Sequence, residues 1–383
     1  MNDNVKSVFT KGDASPFFLF CVIILKDAIV KIKNQETNKL IKHLSVHCGR
    51  KQKHKNKSMK IFDVVTVGSA LKDIMFYSDE ISVIKNSKDI TRQKLMAVEY
   101  GAKVPIKEVF VNYGGGALNT AVGLKNFGLD SAPMVHVGRD QVGREMYSYL
   151  KSKQISTRLI SVDREERTGF SIVMTAARDK EHTIFTYKGA SSFLEVAGLR
   201  NFRTKWFYVS ALTNRSWALE FDKLVRQTRR NVKIAWNPGS LQLKEFNKLI
   251  SFLPDIELLI LNKDEAIELV KNDNPRTVKT RLNDSKYLLR KIKAYGPQKV
   301  VITQGVRGAV AIDELNNYFY APAVSVIHRI VDTVGAGDAF SSGLLAGLVK
   351  WEDFEKALRL GIRNSANVLY RVGAQNGLLK IRL

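Results

Sequence analysis

Short apolar runs alternate with longer amphipathic runs from residue 61 to the C-terminus. The short runs predict strands, and the longer runs, in which apolar residues recur every three or four positions, predict helices. Strands are predicted at residues 61–67, 133–137, 206–209, 232–236, 258–261 and 299–303, and a last helix at residues 355–370. This alternation predicts an α/β domain in which helices cover a mostly parallel sheet.

A second group of strand-like segments interrupts this alternation. They lie at residues 71–77, 107–113, 168–176 and 183–188. The polar turn 177–180 predicts that the last two form a hairpin. We expect the four segments to form a small separate sheet that acts as a lid beside an active site. Residues 79–100 are polar and predict no regular element.

A turn of small residues precedes a long apolar helix near the C-terminus. Residues 324–331 alternate like a strand, and Gly335, Ala336 and Gly337 follow them. The amides at a helix start lack partners inside the helix, so the amides of these three residues would form an anion site. Asp338 lies on the first helical turn, where it could take a proton from an alcohol that attacks a phosphoryl group. The alternative is that Asp338 only caps the helix.

Several polar or small residues directly follow predicted strands. They are Asp73, Gly115, Asn237, Asn262, Thr303 and Asp338. Any one of them alone is more often a turn residue. Ligands of open parallel sheets bind outside the carboxyl ends of the strands, so the common placement predicts one site.

The first 58 residues differ from the rest of the chain. They hold twelve Lys and Arg against four Asp and Glu, within a formal net charge of +24 for the whole chain. The apolar run at residues 17–25 is shorter than the roughly 20 residues that span a membrane, so no membrane span is predicted. We interpret residues 1–58 as a basic, disordered extension, Met59 as the true start, and residues 59–383 as the folded domain.

Cysteine content and charge bound the setting and the partners. Cys21 and Cys48 are the two cysteines, so residues 59–383 have no disulfide framework, which suits a reducing cytoplasm. The positive charge suits either a phosphorylated substrate or nucleic acid. Because the basic residues are scattered and no zinc-finger, RRM or basic-zipper pattern is present, no nucleic acid is expected as a partner.

Two glycine-rich stretches resemble the signatures of the ribokinase-like (PfkB) carbohydrate kinases. The first covers residues 114–121 and continues to Gly128, and the second covers residues 332–340. The sequence has no P-loop, no dinucleotide fingerprint after its first strand, and no nucleophile elbow. Further matches are Asn262-x-x-Glu265, Thr303-x-Gly305-x-x-Gly308 and residues 372–375. The resemblance extends from about residue 59 to residue 379. It implies a three-layer α/β/α domain with a mostly parallel central sheet and a small β-sheet lid.

The resemblance implies a reaction and the residues on its acceptor side. The γ-phosphoryl group of ATP would be transferred to a sugar hydroxymethyl group, with Asp338 as the general base. The amides of Gly335, Ala336 and Gly337 would form the anion hole. The sugar hydroxyls would be held by Asp73, Gly114, Gly115 and Asn119.

The nucleotide and ion positions also follow from the resemblance. The nucleotide would contact Asn262, Thr303, Gly305, Gly308 and Asn367. Asn262 and Glu265 would organise Mg²⁺ mainly through water, although this pair is also what a helix cap with an acid in the first turn looks like. Asp332 matches a position that holds a monovalent cation in some members, which implies possible activation by K⁺.

The shared motifs leave the substrate open. Family members accept ribose, fructose, sugar phosphates, ketodeoxy sugar acids or nucleosides. A nucleoside kinase would need an apolar wall for the base, for which Phe76, Tyr77 and Phe185 are candidates, although the three could equally form the core of the lid. A non-catalytic binding protein is the remaining alternative, against which Asp338 and its glycine turn are intact. Because lids of this family often dimerise, a homodimer through the lid is also implied.

Overall fold

A computed structural model describes residues 59–85, 94–176, 182–325 and 330–383. The interpretation of residues 1–58 lies outside the described residues, as does the predicted turn 177–180. The described strands are, in chain order, β1 (Lys60–Val67), β2 (Leu71–Ser78), β3 (Ser82–Lys85), β4 (Lys94–Ala97), β5 (Glu108–Gly114), β6 (Ser131–Gly138), β7 (Ile160–Asp163), β8 (Phe170–Ala176), β9 (His182–Tyr187), β10 (Phe202–Val209), β11 (Lys233–Trp236), β12 (Leu258–Asn262), β13 (Lys299–Thr303), β14 (Ala309–Ile312) and β15 (Tyr318–Ala321). The described α-helices are α1 (Gly116–Asn126), α2 (Gln141–Ser152), α3 (Trp217–Val225), α4 (Ser240–Lys244), α5 (Phe246–Phe252), α6 (Lys263–Asp273), α7 (Lys279–Asn283), α8 (Ser285–Lys293), α9 (Ala336–Trp351) and α10 (Phe354–Val368).

Nine of the strands form one large sheet in the order β15-β14-β13-β12-β11-β10-β1-β6-β7. The pairs from β13 through to β7 are parallel, and only β14 and β15 pair antiparallel. The predicted mostly parallel sheet is therefore confirmed. Parallel strands end at the same edge, so the segments after β1, β10, β12 and β13 lie along one edge of the sheet.

Helices cover both faces of this sheet, because successive strand residues point to opposite sides. On one face, Val65 packs into a core with α3, α5, α6 and α8. On the other face, Val64 packs into a core with α9 and α10. Leu118 and Leu124 place α1 on this second side as well. The three-layer α/β/α architecture is thus confirmed. No helix in the described ranges combines the length and apolar character that crossing a bilayer requires.

A four-stranded sheet of order β5-β2-β8-β9 stands apart from the large one. Its strands are the four predicted lid segments with bounds shifted by one or two residues. β2 pairs antiparallel with β5 and parallel with β8, and β8 pairs antiparallel with β9. The chain enters this sheet directly after β1 and again after β7. The small sheet is therefore connected to the carboxyl ends of β1 and β7.

Three local predictions are wrong. Asp73 lies within β2, where it pairs with Asn112 and Ser171, so it does not sit in a turn after a strand. Residues 79–100 contain the antiparallel pair β3–β4. The described part of residues 324–331 is not in a strand. In the last two cases the apolar pattern is short, and pairing with a neighbouring strand rather than local sequence decides whether a strand forms.

Candidate active site

The candidate site lies between β1 and β10, where the order of strands along the sheet reverses. From β1 the chain proceeds to β6 on one side, whereas from β10 it proceeds to β11 on the other. Gly68 follows β1 with φ of +148°, and a Cβ there would lie 2.0 Å from the hydroxyl of Ser210, which follows β10. Glycine thus lets the two strand ends approach each other. Such reversal points are where open α/β sheets bind ligands.

The start of α9 is held in place from two sides. Gly335 is the N-cap residue with φ of 79°, and a Cβ on it would lie 2.3 Å from the Cβ of Ala374. Asp332 accepts the backbone amides of Val334 at 3.0 Å and Gly373 at 2.8 Å. These contacts fix the turn before α9 to the loop after α10.

Backbone amides at this turn are available to an anion. Among the described hydrogen bonds, none uses the amides of Gly335 or Gly337, whereas the amide of Ala336 donates to the carbonyl oxygen of Thr333 at 3.3 Å. A Cβ on Gly337 would meet no other atom within 4 Å, so the space above the turn is open. Two of the three predicted amides are therefore unengaged at a helix start, where the helix dipole also favours negative charge.

Asp338 lies in the first turn of α9 and is hydrogen-bonded to α1. The Nδ2 of Asn119 donates to Oδ2 of Asp338 at 2.8 Å. Gln375 donates from Nε2 to Oδ1 of Asn119 at 2.8 Å and to the carbonyl oxygen of Tyr113 at 2.7 Å. Tyr149 donates its hydroxyl to Oε1 of Gln375. This chain of donors fixes which end of the Asn119 amide faces Asp338.

The environment of Asp338 raises the pKa of its carboxyl group. Burial raises the pKa of Asp338 to about 6, the hydrogen bond from Asn119 opposes this shift, and the negative charge of Asp73 adds to it. A carboxylate with a pKa near neutrality accepts a proton more readily than an ordinary aspartate. Asp338 therefore has the properties of a general base, which a simple helix cap does not require.

Asp73 reaches the same space from the lid sheet. It is 8% exposed and accepts a hydrogen bond from the hydroxyl of Ser171 on β8. Burial raises the pKa of Asp73. A Cβ on Gly114 would lie 1.8 Å from Oδ2 of Asp73, so glycine is needed where the carboxylate packs on the backbone. Gly115 has φ of +98°, and its Cβ would clash with the carbonyl oxygen of Ser69.

Asn262 and Glu265 form a reciprocal capping box at the start of α6. The amide of Asn262 donates to Oε2 of Glu265 at 2.8 Å, and the amide of Glu265 donates to Oδ1 of Asn262 at 2.9 Å. Burial raises the pKa of Glu265, and the charges of Glu268 and Asp264 raise it further. Asn262 and Glu265 thus do cap the helix, which was the alternative to a role in organising Mg²⁺. Oε1 of Glu265 nevertheless appears in none of the described hydrogen bonds.

Three other predicted nucleotide-binding residues, Thr303, Gly305 and Gly308, lie at the end of β13 and in the turn before β14. Thr303 pairs in register with Asn262 at the ends of β13 and β12. Gly305 has φ of +56° and open space around it, whereas a Cβ on Gly308 would lie 2.1 Å from the carbonyl oxygen of Ala321. Gly308 is therefore explained by chain packing alone.

Asn367 on α10 is tied to the C-terminal loop. Its Nδ2 donates to the carbonyl oxygen of Gly377 at 2.6 Å. This bond holds the loop that carries Gln375, and Oδ1 of Asn367 appears in none of the hydrogen bonds within the described ranges.

Strand register separates the two faces of the lid sheet. Asp73, Met75 and Tyr77 share the face that carries the site, because alternate residues of a strand point the same way. Phe76 and its neighbours on β8 and β9 lie on the opposite face, and Phe185 there is 56% exposed. Of the three aromatic residues considered for a nucleoside wall, only Tyr77 lies on the correct side.

Comparison with known proteins identifies the family. A family model described as pfkB family carbohydrate kinase matches residues 63–381. The chain belongs to the pfkB family of carbohydrate kinases. A nucleoside kinase of Methanocaldococcus jannaschii is 26% identical over 269 residues, which cover 70% of this chain and 82% of that protein.

Two further comparisons concern a sequence relative and the fold. A 5-dehydro-2-deoxygluconokinase of Halalkalibacterium halodurans is 25% identical, covering 74% of this chain and 88% of its own length. The ribokinase fold is seen in a structure of Arabidopsis thaliana ribokinase complexed with ribose and ATP, with a TM-score of 0.65 at 19% identity, covering 83% of this chain and 96% of that one. This chain is accordingly an enzyme of the class that transfers a phosphoryl group to an alcohol.

Several residues around Asp338 in this pfkB-family kinase were not assigned roles from the sequence. Gln375 lay within a recognised motif, but nothing in the motif indicated that it orients Asn119. Ser171 and Tyr149 carry no motif, and their contacts cross 98 and 226 positions of sequence. Three buried hydroxyl-bearing residues that interact with one another, Thr120, Tyr208 and Ser341, also lie among these elements. Only strand pairing and helix packing bring such residues together.

We expect the value of kcat/KM to rise with pH through a midpoint near 6, because Asp338 accepts a proton only when it is ionised. Replacing Asp73 with Asn removes a negative charge that raises the pKa of Asp338, so the Asp73→Asn variant should show this midpoint at lower pH. Initial-rate profiles from pH 4.5 to 8 would measure both. A wild-type midpoint at the ordinary aspartate pKa would contradict the assignment.

We expect Gln375→Met to lower kcat by about 5- to 10-fold, since one net hydrogen bond is worth about 1 kcal/mol and Asn119 loses its orienting donor. The KM for ATP should change little, because Gln375 contacts the acceptor side. The matched control is Gln141→Met, whose amide bonds Glu145 on the surface. Equal losses of kcat in the two variants would show that Gln375 has no positioning role.

Proposed function

We propose that this chain is an ATP- and Mg²⁺-dependent kinase that phosphorylates a hydroxymethyl group of a sugar. The observation that carries the proposal is the pairing of Asp338, whose pKa is raised to about 6, with the unengaged amides at the start of α9. One group can remove a proton and the other can receive a phosphoryl oxygen. Membership of the pfkB family supports the same chemistry.

In the proposed reaction, Asp338 removes the proton of the acceptor hydroxyl while the hydroxyl oxygen forms a bond to the γ-phosphorus of ATP. The bond between that phosphorus and the bridging oxygen of ADP breaks, and ADP carries away the electron pair. The amides of Gly335 and Gly337 would stabilise the charge on the transferred group. Asn119 keeps Oδ2 of Asp338 hydrogen-bonded, which leaves Oδ1 to face the hydroxyl.

The acceptor sugar would lie between the lid sheet and α1. Asp73 can accept hydrogen bonds from sugar hydroxyls. Its carboxylate packs so closely on the backbone of Gly114 that a side chain at position 114 would not fit. Asn119 has a second hydrogen on Nδ2 beyond the one that it gives to Asp338. The backbone at Gly115 offers further polar atoms. These groups hold a polyhydroxylated ligand without choosing between sugars.

ATP would lie along the ends of β12 and β13, with Thr303, Gly305 and Asn367 on the nucleotide side. Mg²⁺ would be held, mainly through water, by Glu265 and Asn262. Asp264 and Glu268 raise the pKa of Glu265, and none of the described ion pairs neutralises these three carboxylates, so the donor set suits a hydrated hard cation. When bound, Mg²⁺ supplies positive charge to the phosphates.

A monovalent cation such as K⁺ is also proposed to bind at Asp332. Both carboxylate oxygens already accept backbone amides, so the contacts in hand explain Asp332 as an anchor of the α9 turn. Each oxygen retains a further lone pair for an ion. Activation by K⁺ therefore stays a prediction.

A nucleoside is the second candidate substrate. The lid face that carries Asp73 also carries Met75, Tyr77 and Phe110, with the rings of Tyr77 and Phe110 in edge contact at 6.0 Å. Such a surface could pack against a base while Asp73 holds the ribose. The similarity to the archaeal nucleoside kinase favours the same alternative.

We also infer that residues 59–383 form the catalytic domain and that the enzyme acts in the cytoplasm. The compact unit Met59–Leu383 contains every residue assigned to the site. Cysteine is absent from this unit, which suits a reducing compartment. Intact-mass measurement of the native protein would test whether the chain begins at Met59, and fractionation of the source cells would test the compartment.

We further infer that the outer face of the lid sheet forms a homodimer. This face is apolar along four strands, with Ile74 and Val111 in one row and Phe170 and Tyr187 in another. Val111 is 56% and Phe185 56% exposed. A contiguous exposed apolar surface of this kind is typical of protein interfaces.

We expect a coupled ADP-release assay with Mg-ATP and K⁺ to find turnover in a panel of ribose, fructose, fructose phosphates, ketodeoxygluconate and nucleosides. Asp338→Asn should lower kcat at least about 100-fold on any hit, because a general base contributes factors of that size. A chain that begins at Met59 should keep the wild-type rate. Full activity of Asp338→Asn would overturn the catalytic assignment.

We expect light scattering after size exclusion to give the mass of a dimer for the wild-type chain. Val111→Glu combined with Phe185→Glu should give a monomer, because two charges per subunit would be buried in the interface. The control Leu315→Glu changes an exposed apolar residue in the turn between β14 and β15 and should leave the dimer intact. A wild-type monomer at micromolar concentration would disprove this interface.

A further inference from the structure

A second cavity lies at the amino ends of β1, β10 and β11, whereas the candidate active site lies at their carboxyl ends. Its volume is about 570 Å³, within the range of small-molecule sites. Phe202 and Arg203 begin β10 on one side of it, and Val232 directly precedes β11 on another. The cavity is therefore separate from every residue assigned to the kinase reaction.

The walls of this cavity combine positive charge with apolar surface. Arg200, Arg203 and Arg230 contribute three guanidinium groups, and the described residues of its lining include no Asp or Glu. Thr204 and Gln227 add neutral polar groups. The apolar part is formed by side chains that include Leu199, Phe202 and Val232.

Among the described residues, the three arginines have no partner of opposite charge. None of them takes part in the described ion pairs or side-chain hydrogen bonds, although nearby Arg226 pairs with Asp222 at 2.7 Å. Arg200 and Arg203 lie three positions apart at the start of β10, and Arg230 comes from the turn before β11, so the fold brings a third guanidinium group to a local pair. An anion with several negative oxygens could bond more than one of them.

Guanidinium groups suit anions with several oxygens, such as phosphate. Each presents a planar fork of N–H donors that can bond two oxygens of one phosphate. A phosphate monoester carries about −1.5 to −2 charge at neutral pH, enough to engage more than one arginine. The apolar wall beside the arginines would remain wet if the ligand were a bare phosphate ion.

We propose that this cavity binds a phosphorylated small molecule with an apolar body, in which the arginines hold the phosphate and Leu199 and Val232 contact the body. The site is independent of the proposed kinase reaction, because none of its residues touches Asp338 or the α9 turn. It adds a second anion site to a protein whose net charge is +24.

The test uses the full-length chain with saturating Mg-ADP, which occupies the proposed nucleotide positions but not the amides at the start of α9. Phenyl phosphate is the probe, and isothermal titration calorimetry measures its binding. We expect saturable binding of one molecule per chain. Phenyl sulfate, which has one charge, and inorganic phosphate, which has no apolar body, should each bind more weakly. Equal affinity for inorganic phosphate would overturn the apolar part of the proposal, and no saturable binding would overturn all of it.

Two double variants localise the binding. Arg203→Gln with Arg230→Gln should weaken the affinity for phenyl phosphate at least about 10-fold, because charge-assisted hydrogen bonds are lost. The matched control, Arg226→Gln with Arg229→Gln, removes the same charge from the same surface without touching the cavity. An equal loss in the control would mean that general electrostatic attraction, not the cavity, holds the probe.

Kinase turnover and thermal unfolding serve as checks on both double variants. Both should keep the wild-type rate, since the cavity lies at the other end of the sheet. If the first double variant unfolds early, the single change Arg230→Gln replaces it, because Arg230 is exposed at the end of a short turn. Unchanged probe affinity in a folded Arg230→Gln variant would then count against the proposal.

Discussion

The hydrogen bond from Asn119 to Asp338 is the contact on which the candidate site depends. It joins the first turns of α1 and α9, which are separated by 219 positions of sequence. Asn119 can donate to Asp338 because Gln375 occupies its oxygen, and Gln375 is held by Tyr113 and by the hydroxyl of Tyr149. Asp338, the proposed general base, is thus positioned by a series of polar contacts that reaches the lid sheet, α2 and the C-terminal loop.

Carboxylates at the site act on each other's protonation. Asp73 raises the pKa of Asp338, and Asp332 contributes to the raised pKa of Asp73. Lys188, from the end of the lid hairpin, opposes the shift at Asp73. A hydroxyl group bound between Asp73 and Asp338 could donate its hydrogen bond to either carboxylate, because the pKa of each is raised. The lid is therefore part of the electrostatics of the site as well as a possible cover.

Opposite ends of the parallel sheet offer different kinds of anion recognition. At the carboxyl ends, backbone amides of a helix start face open space, and a proton acceptor lies beside them. At the amino ends, three arginines without an ion pair among the described residues border a partly apolar cavity. Amides with a helix dipole suit a charge that develops during a reaction, whereas guanidinium groups suit a charge that is already present. The architecture provides for both because β10 extends from one end to the other.

The sequence alone determined the class of fold and the class of enzyme. The alternation of strand and helix patterns, together with the two glycine-rich signatures, predicted the three-layer domain, the lid segments and the group that includes Asp73, Asn119 and Asp338. Local patterns suffice for these features because backbone turns, helix starts and glycine requirements depend on neighbouring residues. Tertiary structure alone decided that Phe76 and Phe185 face away from the site and that Gln375 orients Asn119. It also decided that Arg200, Arg203 and Arg230 meet in one cavity. These outcomes rest on strand register and on contacts between distant segments, which the order of residues along the chain does not specify locally.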